Sequence, residues 1–108
     1  MNDKQSLQND LPTLRVAGDL TSTNAESVQA EIGRMFDDSP GQPPAGSLFR
    51  LDLTGAKMVD SVGLNLVVAL LKRLQKHGAR LQVTYANQNV FRTFTFTRLD
   101  KHVELVKV

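Results

Sequence analysis

The sequence contains no cysteine and no tryptophan. Disulfide scaffolding, thiolate nucleophiles and cysteine-ligated metals are therefore excluded, and a reducing compartment is allowed. Aromatic residues are few, at 6%, and basic residues form no run with aromatics between them, so the pattern of a nucleic-acid-binding surface is missing. No apolar run approaches membrane-spanning length; the longest, Leu64 to Leu71, is interrupted by Asn65. Met1 to Asp10 is polar and lacks the apolar core of a signal peptide, so the expected location is cytoplasmic, without membrane insertion. His77 and His102 lack metal-ligand spacing, and Gly55, Gly63 and Gly78 do not make a phosphate-binding loop. No nucleophile–base set or carboxylate pair is visible, which predicts a binding protein that needs no cofactor or metal and is not an enzyme.

What is present is an ordinary globular composition, 41% hydrophobic and 22% charged over 108 residues, enough for one core. Charge is uneven: residues 1–54 hold four basic and eight acidic side chains, residues 55–108 nine basic and three acidic ones. The basic residues of the second half, Lys72, Arg73, Lys76, Arg80, Arg92 and Arg98, are scattered along the chain and read as solvated surface.

Periodicity supplies the elements. Residues 1–10 read as a polar lead-in or edge strand around Gln5-Ser6-Leu7, able to pair with the next strand through Asn9-Asp10. One domain spans residues 11–108. Its first strand runs from Leu11 to Ala17, stopped at Gly18. Thr23-Asn24-Ala25-Glu26 reads as a capping box with Thr23 as N-cap. The helix it opens carries Ala25, Val28, Ile32, Met35 and Phe36 on one stripe and ends near Asp37-Asp38. Ser39 to Gly46 is all breakers, a loop. Leu48 to Leu53 alternates as a strand, and Leu64, Val67, Val68, Leu71 and Leu74 recur at helical spacing from Ser61 to Lys76, with Leu66 and Leu70 as a second row. Arg80 to Tyr85 is a strand. Asn87 or Asn89 caps a short helix with Val90, Phe91, Phe94 and Leu99, and Val103 to Val108 closes the chain as a strand. This alternation predicts an α/β fold whose later strands are parallel.

The turn between the central strand and the long helix, Lys57 to Leu64, concentrates the candidate chemistry. Asp60-Ser61 offers N-cap side chains, Gly63 permits close approach of backbone or partner, and the Ser61 hydroxyl stands at a helix start. Taken alone, Ser61 reads as a helix N-cap rather than a functional hydroxyl, and only the surrounding pattern moves the reading to a regulatory role.

Asp60-Ser61-Val62-Gly63-Leu64 resembles the Asp-Ser-Ser/Thr-Gly-Leu signature of STAS domains, the bacterial anti-sigma-factor antagonists. Gly18-Asp19-Leu20, Asn24-Ala25-Glu26, the apolar strand before the signature, and Gly78 with the strand after it follow the same order. The resemblance implies a mixed β-sheet with helices packed on it. It implies Ser61 as a phosphorylation site for an anti-sigma-factor serine kinase, reversed by a PP2C-type phosphatase. The unphosphorylated protein would then bind the kinase and release the sigma factor. Asp60, Ser61, Val62, Gly63, Leu64, Asn65, Asp19 and Thr21 are the implied partner-binding residues. Val62 replaces a frequent second hydroxyl, Asn65 a common glycine, and Thr21 an aspartate that many antagonists carry. A second implied role is that of a stand-alone STAS subunit docked constitutively on an ABC-transporter ATPase, without phosphorylation.

Overall fold

Strand formation at Leu48–Leu53 follows from alternation: Phe49, Leu51 and Leu53 point one way and are fully buried, while Arg50 and Asp52 point the other. The computed structural model describes residues 12–35 and 46–108. Within them the order is β1 (Thr13–Arg15), α1 (Ala25–Gly33), β2 (Leu48–Leu53), α2 (Ser61–Lys76), β3 (Arg80–Tyr85), α3 (Gln88–Phe96), a single 3₁₀ turn (Leu99–Lys101) and β4 (Glu104–Lys107). Sheet order equals chain order, β1-β2-β3-β4, and every neighbouring pair is parallel. Parallel crossovers are right-handed, so a sheet that always steps in one direction carries its three connecting helices on one face.

Burial follows that geometry. Leu14, Val16, Phe49, Leu51, Leu53, Leu81, Val83 and Tyr85 form one cluster with Val28 and Ile32 of α1, Val67, Leu70, Leu71 and Leu74 of α2, and Val90 and Phe94 of α3. Both apolar rows of α2 are used: Leu66 and Leu70 are as buried as Val67 and Leu71, because α1 covers one side and the sheet the other. Leu66 and Leu70 are therefore core residues.

The opposite face of the sheet is polar, which is unusual for parallel strands. Thr13, Arg50, Gln82 and Glu104 lie in register across it, followed by Arg15, Asp52, Thr84 and Val106. Arg50 Nε donates to Gln82 Oε1 at 2.7 Å, and Gln82 Nε2 to Glu104 Oε1 at 2.8 Å. Asp52 accepts from Arg15 Nε at 3.0 Å, from the Thr54 N–H and hydroxyl at 3.0 and 2.7 Å, and from Thr84 Oγ1 at 3.2 Å. Burial pushes the Asp52 carboxyl upward, but the Thr54, Arg15 and Thr84 hydrogen bonds together outweigh it and hold the group below its ordinary value.

Several boundaries differ from the sequence reading. The capping box at Thr23 does not form. Asn24 is the N-cap, and its side chain turns back instead, accepting from the Thr21 N–H at 3.0 Å and donating to the Asp19 carbonyl at 2.8 Å. The regular α-helix covers Ala25–Gly33, and the expected end near Asp37-Asp38 lies outside the described residues. Leu11, the hairpin through Asn9-Asp10, Phe36 and most of the Ser39–Gly46 loop lie outside the described residues, as does any strand that would make the sheet mixed. Asn87 caps α3, accepting from the Asn89 N–H at 2.8 Å. That helix tolerates its threonines because each hydroxyl bonds back to a carbonyl of the preceding turn, as Thr93 does to Asn89 at 3.0 Å. Leu99 is buried, but in the 3₁₀ turn rather than in α3.

Two outcomes follow. Asp52→Ala strands the Thr84 and Thr54 donors and should lower stability by about 1–3 kcal/mol in urea titrations. The depressed Asp52 carboxyl contributes stability that is present above the unfolded-state pKa and is lost as pH falls through the folded-state value. Asp52→Asn should accordingly flatten the loss of stability below about pH 4. Arg98, the residue after the α3 C-cap, has φ of 62°, a left-handed position that suits glycine. Arg98→Gly should raise stability by about 0.5–1 kcal/mol in the same titrations.

Candidate functional site

Beyond β2 the chain turns at Thr54-Gly55, buries Ala56 and Val59, and enters α2 at Ser61. The segment that leaves β1, Asp19 to Ser22, lies alongside this stretch. Leu20 and Val59 form a parallel bridge, with Leu20 N–H donating to the Met58 carbonyl and Asp60 N–H to the Leu20 carbonyl, both at 3.2 Å. The two side chains that frame the bridge are carboxylates, and each serves the other segment. Asp19 Oδ1 accepts from the N–H groups of Lys57 at 2.7 Å and Met58 at 3.2 Å. Asp60 Oδ2 accepts from Ser22 N–H at 3.0 Å, and its Oδ1 accepts from Gly63 N–H at 2.8 Å.

Asp60 is thus the N-cap of α2. The Gly63 and Ser22 N–H bonds hold its carboxyl below the ordinary carboxylate value, so it is a fixed negative charge at neutral pH. Ser61 is the first helical residue, exposed, and among the described residues its hydroxyl makes no hydrogen bond. The capping role that competed with a functional role for Ser61 therefore belongs to its neighbour. With Asp60 committed to backbone donors, no base is hydrogen-bonded to Ser61.

Gly63 is buried, and the close approach it permits is internal. A Cβ there would stand 2.3 Å from the Leu20 carbonyl oxygen and 2.9 Å from its carbon. Leu64 is half-buried against the core. Asp19 and Thr21 face the same junction, Asp19 as the reciprocal clasp and Thr21 as the donor to Asn24. Of the residues named from the sequence, Ser61, Val62 and Asn65 face outward, whereas Asp60, Gly63, Leu64, Asp19 and Thr21 build the support.

Two features were not read from the sequence. Met58 is 46% exposed and Val62 is 43% exposed, so apolar side chains flank the serine in the chain on either side. A groove between α1 and α2 begins at Val62 and Asn65 and continues past Gln29, Ile32 and Ala69. The groove was legible in principle, since successive crossovers place α1 and α2 side by side, but Gln29 carries no signal of its own.

The STAS domain sequence profile matches residues 5–108. Among solved structures, the chain is similar to a proposed anti-sigma factor antagonist from Thermotoga maritima, with a TM-score of 0.75 and 22% identity over 89% of this chain and 78% of that one. It is also similar to a sulfate transporter family protein from Wolinella succinogenes, with a TM-score of 0.70 and 12% identity over 91% of this chain and 78% of that one. At these identities the structural likeness is one of fold.

Gly63→Ala forces α2 away from the Leu20 backbone, which is not a flexible side chain and cannot swing aside. A loss of about 1–3 kcal/mol is expected in thermal or urea unfolding, while Asn65→Ala, on the outward face, should stay within about 0.5 kcal/mol of the parent.

Proposed function

The chain belongs to the STAS domain family, and on that premise we propose that it is a phospho-switchable antagonist of an anti-sigma factor. In this reading the unphosphorylated protein docks on an anti-sigma-factor serine kinase through the start of α2 and the α1–α2 groove. Sigma factor is released as a result. The kinase transfers the γ-phosphoryl group of ATP to Ser61. The Oγ–P bond forms as the bond to the ADP oxygen breaks, and the hydroxyl proton passes to a base on the kinase. A PP2C-type phosphatase hydrolyses the ester with water, which restores the hydroxyl and liberates inorganic phosphate.

The observation that carries the reading is the exposed Ser61 hydroxyl, free of capping duty, between exposed Met58 and Val62. A phosphoryl group brings about −1.5 to −2 charge and three strong acceptor oxygens. At the first residue of a helix the macrodipole tolerates that charge, so the fold persists. Gly63 N–H, one of the donors of this helix start, is already taken by Asp60, and the dianion sits beside that carboxylate. The charge is therefore presented to whatever docks on the surface. Burying it against Met58 and Val62 contacts opposes binding by desolvation. Constitutive docking on an ATPase subunit would use the same surface without the ester.

Intact-mass measurement of the protein from its own cells should show a phosphate increment that disappears in Ser61→Ala. Ser61→Asp should bind the kinase recovered with Ser61→Ala at least roughly 30-fold more weakly while keeping the parent unfolding midpoint. Unmodified protein under all growth conditions, with Ser61→Asp still bound at full affinity, would overturn the switch in favour of constitutive docking.

A further inference from the structure

The basic residues of the second half are scattered in sequence, but the topology collects them. In a parallel sheet the connecting helices run back against the strands. Helix starts, Ser61 among them, lie at one pole; helix ends and strand starts lie at the other. That far pole receives Lys72 and Lys76 from the last turns of α2, Arg80 from the first position of β3, and Arg98 and Lys101 from the connection between α3 and β4. All five are exposed. Among the described residues the acids at this pole are Glu31 at the end of α1, which pairs with Arg34, and Asp100 and Glu104 on the β4 side, where Glu104 already has Arg80 at 3.7 Å and Gln82 at 2.8 Å.

Phe96 stands among these charges. It closes α3 and is 88% exposed, although Phe94 of the same helix is fully buried and Phe91 packs against the core. Arg92, one helical turn earlier, shares its side of the helix and is exposed. Two residues after Phe96, Arg98 holds a left-handed backbone that favours glycine. Compensation of helix dipoles explains basic side chains near helix ends. It does not explain a phenyl ring in water beside an arginine kept where glycine would be unstrained.

We propose that this pole is a peripheral contact for an anionic bilayer surface, with Phe96 entering the headgroup region while Lys76, Arg98 and Lys101 meet lipid phosphates. A ring this exposed is a projection and not part of a cleft wall, so it fits a soft interface better than the surface of a folded protein. The charges come from separate elements around it, an arrangement that a field of headgroups satisfies without register. Among the described residues no helix is long and apolar enough to cross a membrane, which makes the contact peripheral. One ring and a few charges give weak, reversible, salt-sensitive attachment. Attachment there leaves the Ser61 pole pointing away from the lipid, so the inference does not depend on the switch.

Co-sedimentation of the full chain with phosphatidylcholine vesicles, with and without phosphatidylglycerol, tests it. Binding is expected only with phosphatidylglycerol and should fade from low to physiological ionic strength. Phe96→Ser should abolish it, and Arg98→Gln with Lys101→Gln should lower the partition coefficient roughly 30-fold. Ser61→Asp should leave it unchanged. The substituted residues are exposed, and unchanged melting curves would verify that folding is intact. No sedimentation with phosphatidylglycerol vesicles at low salt would overturn the proposal, as would undiminished binding of Phe96→Ser. Equal retention of parent and Phe96→Ser on polyglutamate, stronger than on vesicles, would also overturn it and assign the pole to an acidic macromolecule.

Discussion

The junction between the exit from β1 and the start of α2 depends on a reciprocal pair of carboxylates. Asp19 reaches across to the backbone of residues 57 and 58, and Asp60 reaches back to residue 22 while capping its own helix. Between them Leu20 is completely buried and bridged to Val59. Neither segment could be held here by regular pairing, because β1 ends at Arg15 and only a single bridge follows. The carboxylates take up N–H groups that a longer ladder would have satisfied, and they leave Leu20 pressed on Gly63 as the packing contact. The position of Ser61 follows from this arrangement.

The rest of the fold places that junction at the end of the sheet where parallel α/β proteins present their binding residues. A sheet that steps in one direction keeps its helices on one face, so α1 and α2 become neighbours and the groove between them opens beside the serine. On the other face, Asp52 and Gln82 join the strands by side-chain hydrogen bonds instead of apolar packing. The strands consequently alternate in sequence, although parallel strands buried on both faces read as continuous apolar runs.

That alternation made β2 and β3 easy to read, and the helical spacing of Leu64, Val67, Leu71 and Leu74 did the same for α2. The cap of α3 was legible because Asn87 acts on its own segment. The errors share one cause. Thr23 and Glu26 satisfy the local capping pattern, but Asn24 is drawn to Asp19 and Thr21, and that contact decides where α1 begins. Asp60 and Ser61 are both good caps locally. Asp60 takes the role because its N–H is already tied to the Leu20 carbonyl, which holds its backbone extended. The partners in the clasp lie 38 and 39 residues apart in the chain, and no local pattern announces them. The gathering of basic residues at one pole was hidden for a similar reason, since only the strand order brings them together.

The alternation of inward and outward residues along the signature has an evolutionary consequence. Positions 60 and 63 are constrained by the chain itself, one by two backbone donors and the other by the Leu20 carbonyl. The side chains at positions 62 and 65 face outward on the rim of the α1–α2 groove. A lineage that duplicated this domain could therefore diversify its recognition code at the outward positions without renegotiating the fold. Copies sharing one cell could become mutually insulated by drift at a few surface side chains, while the inward pair stayed fixed as a common chassis.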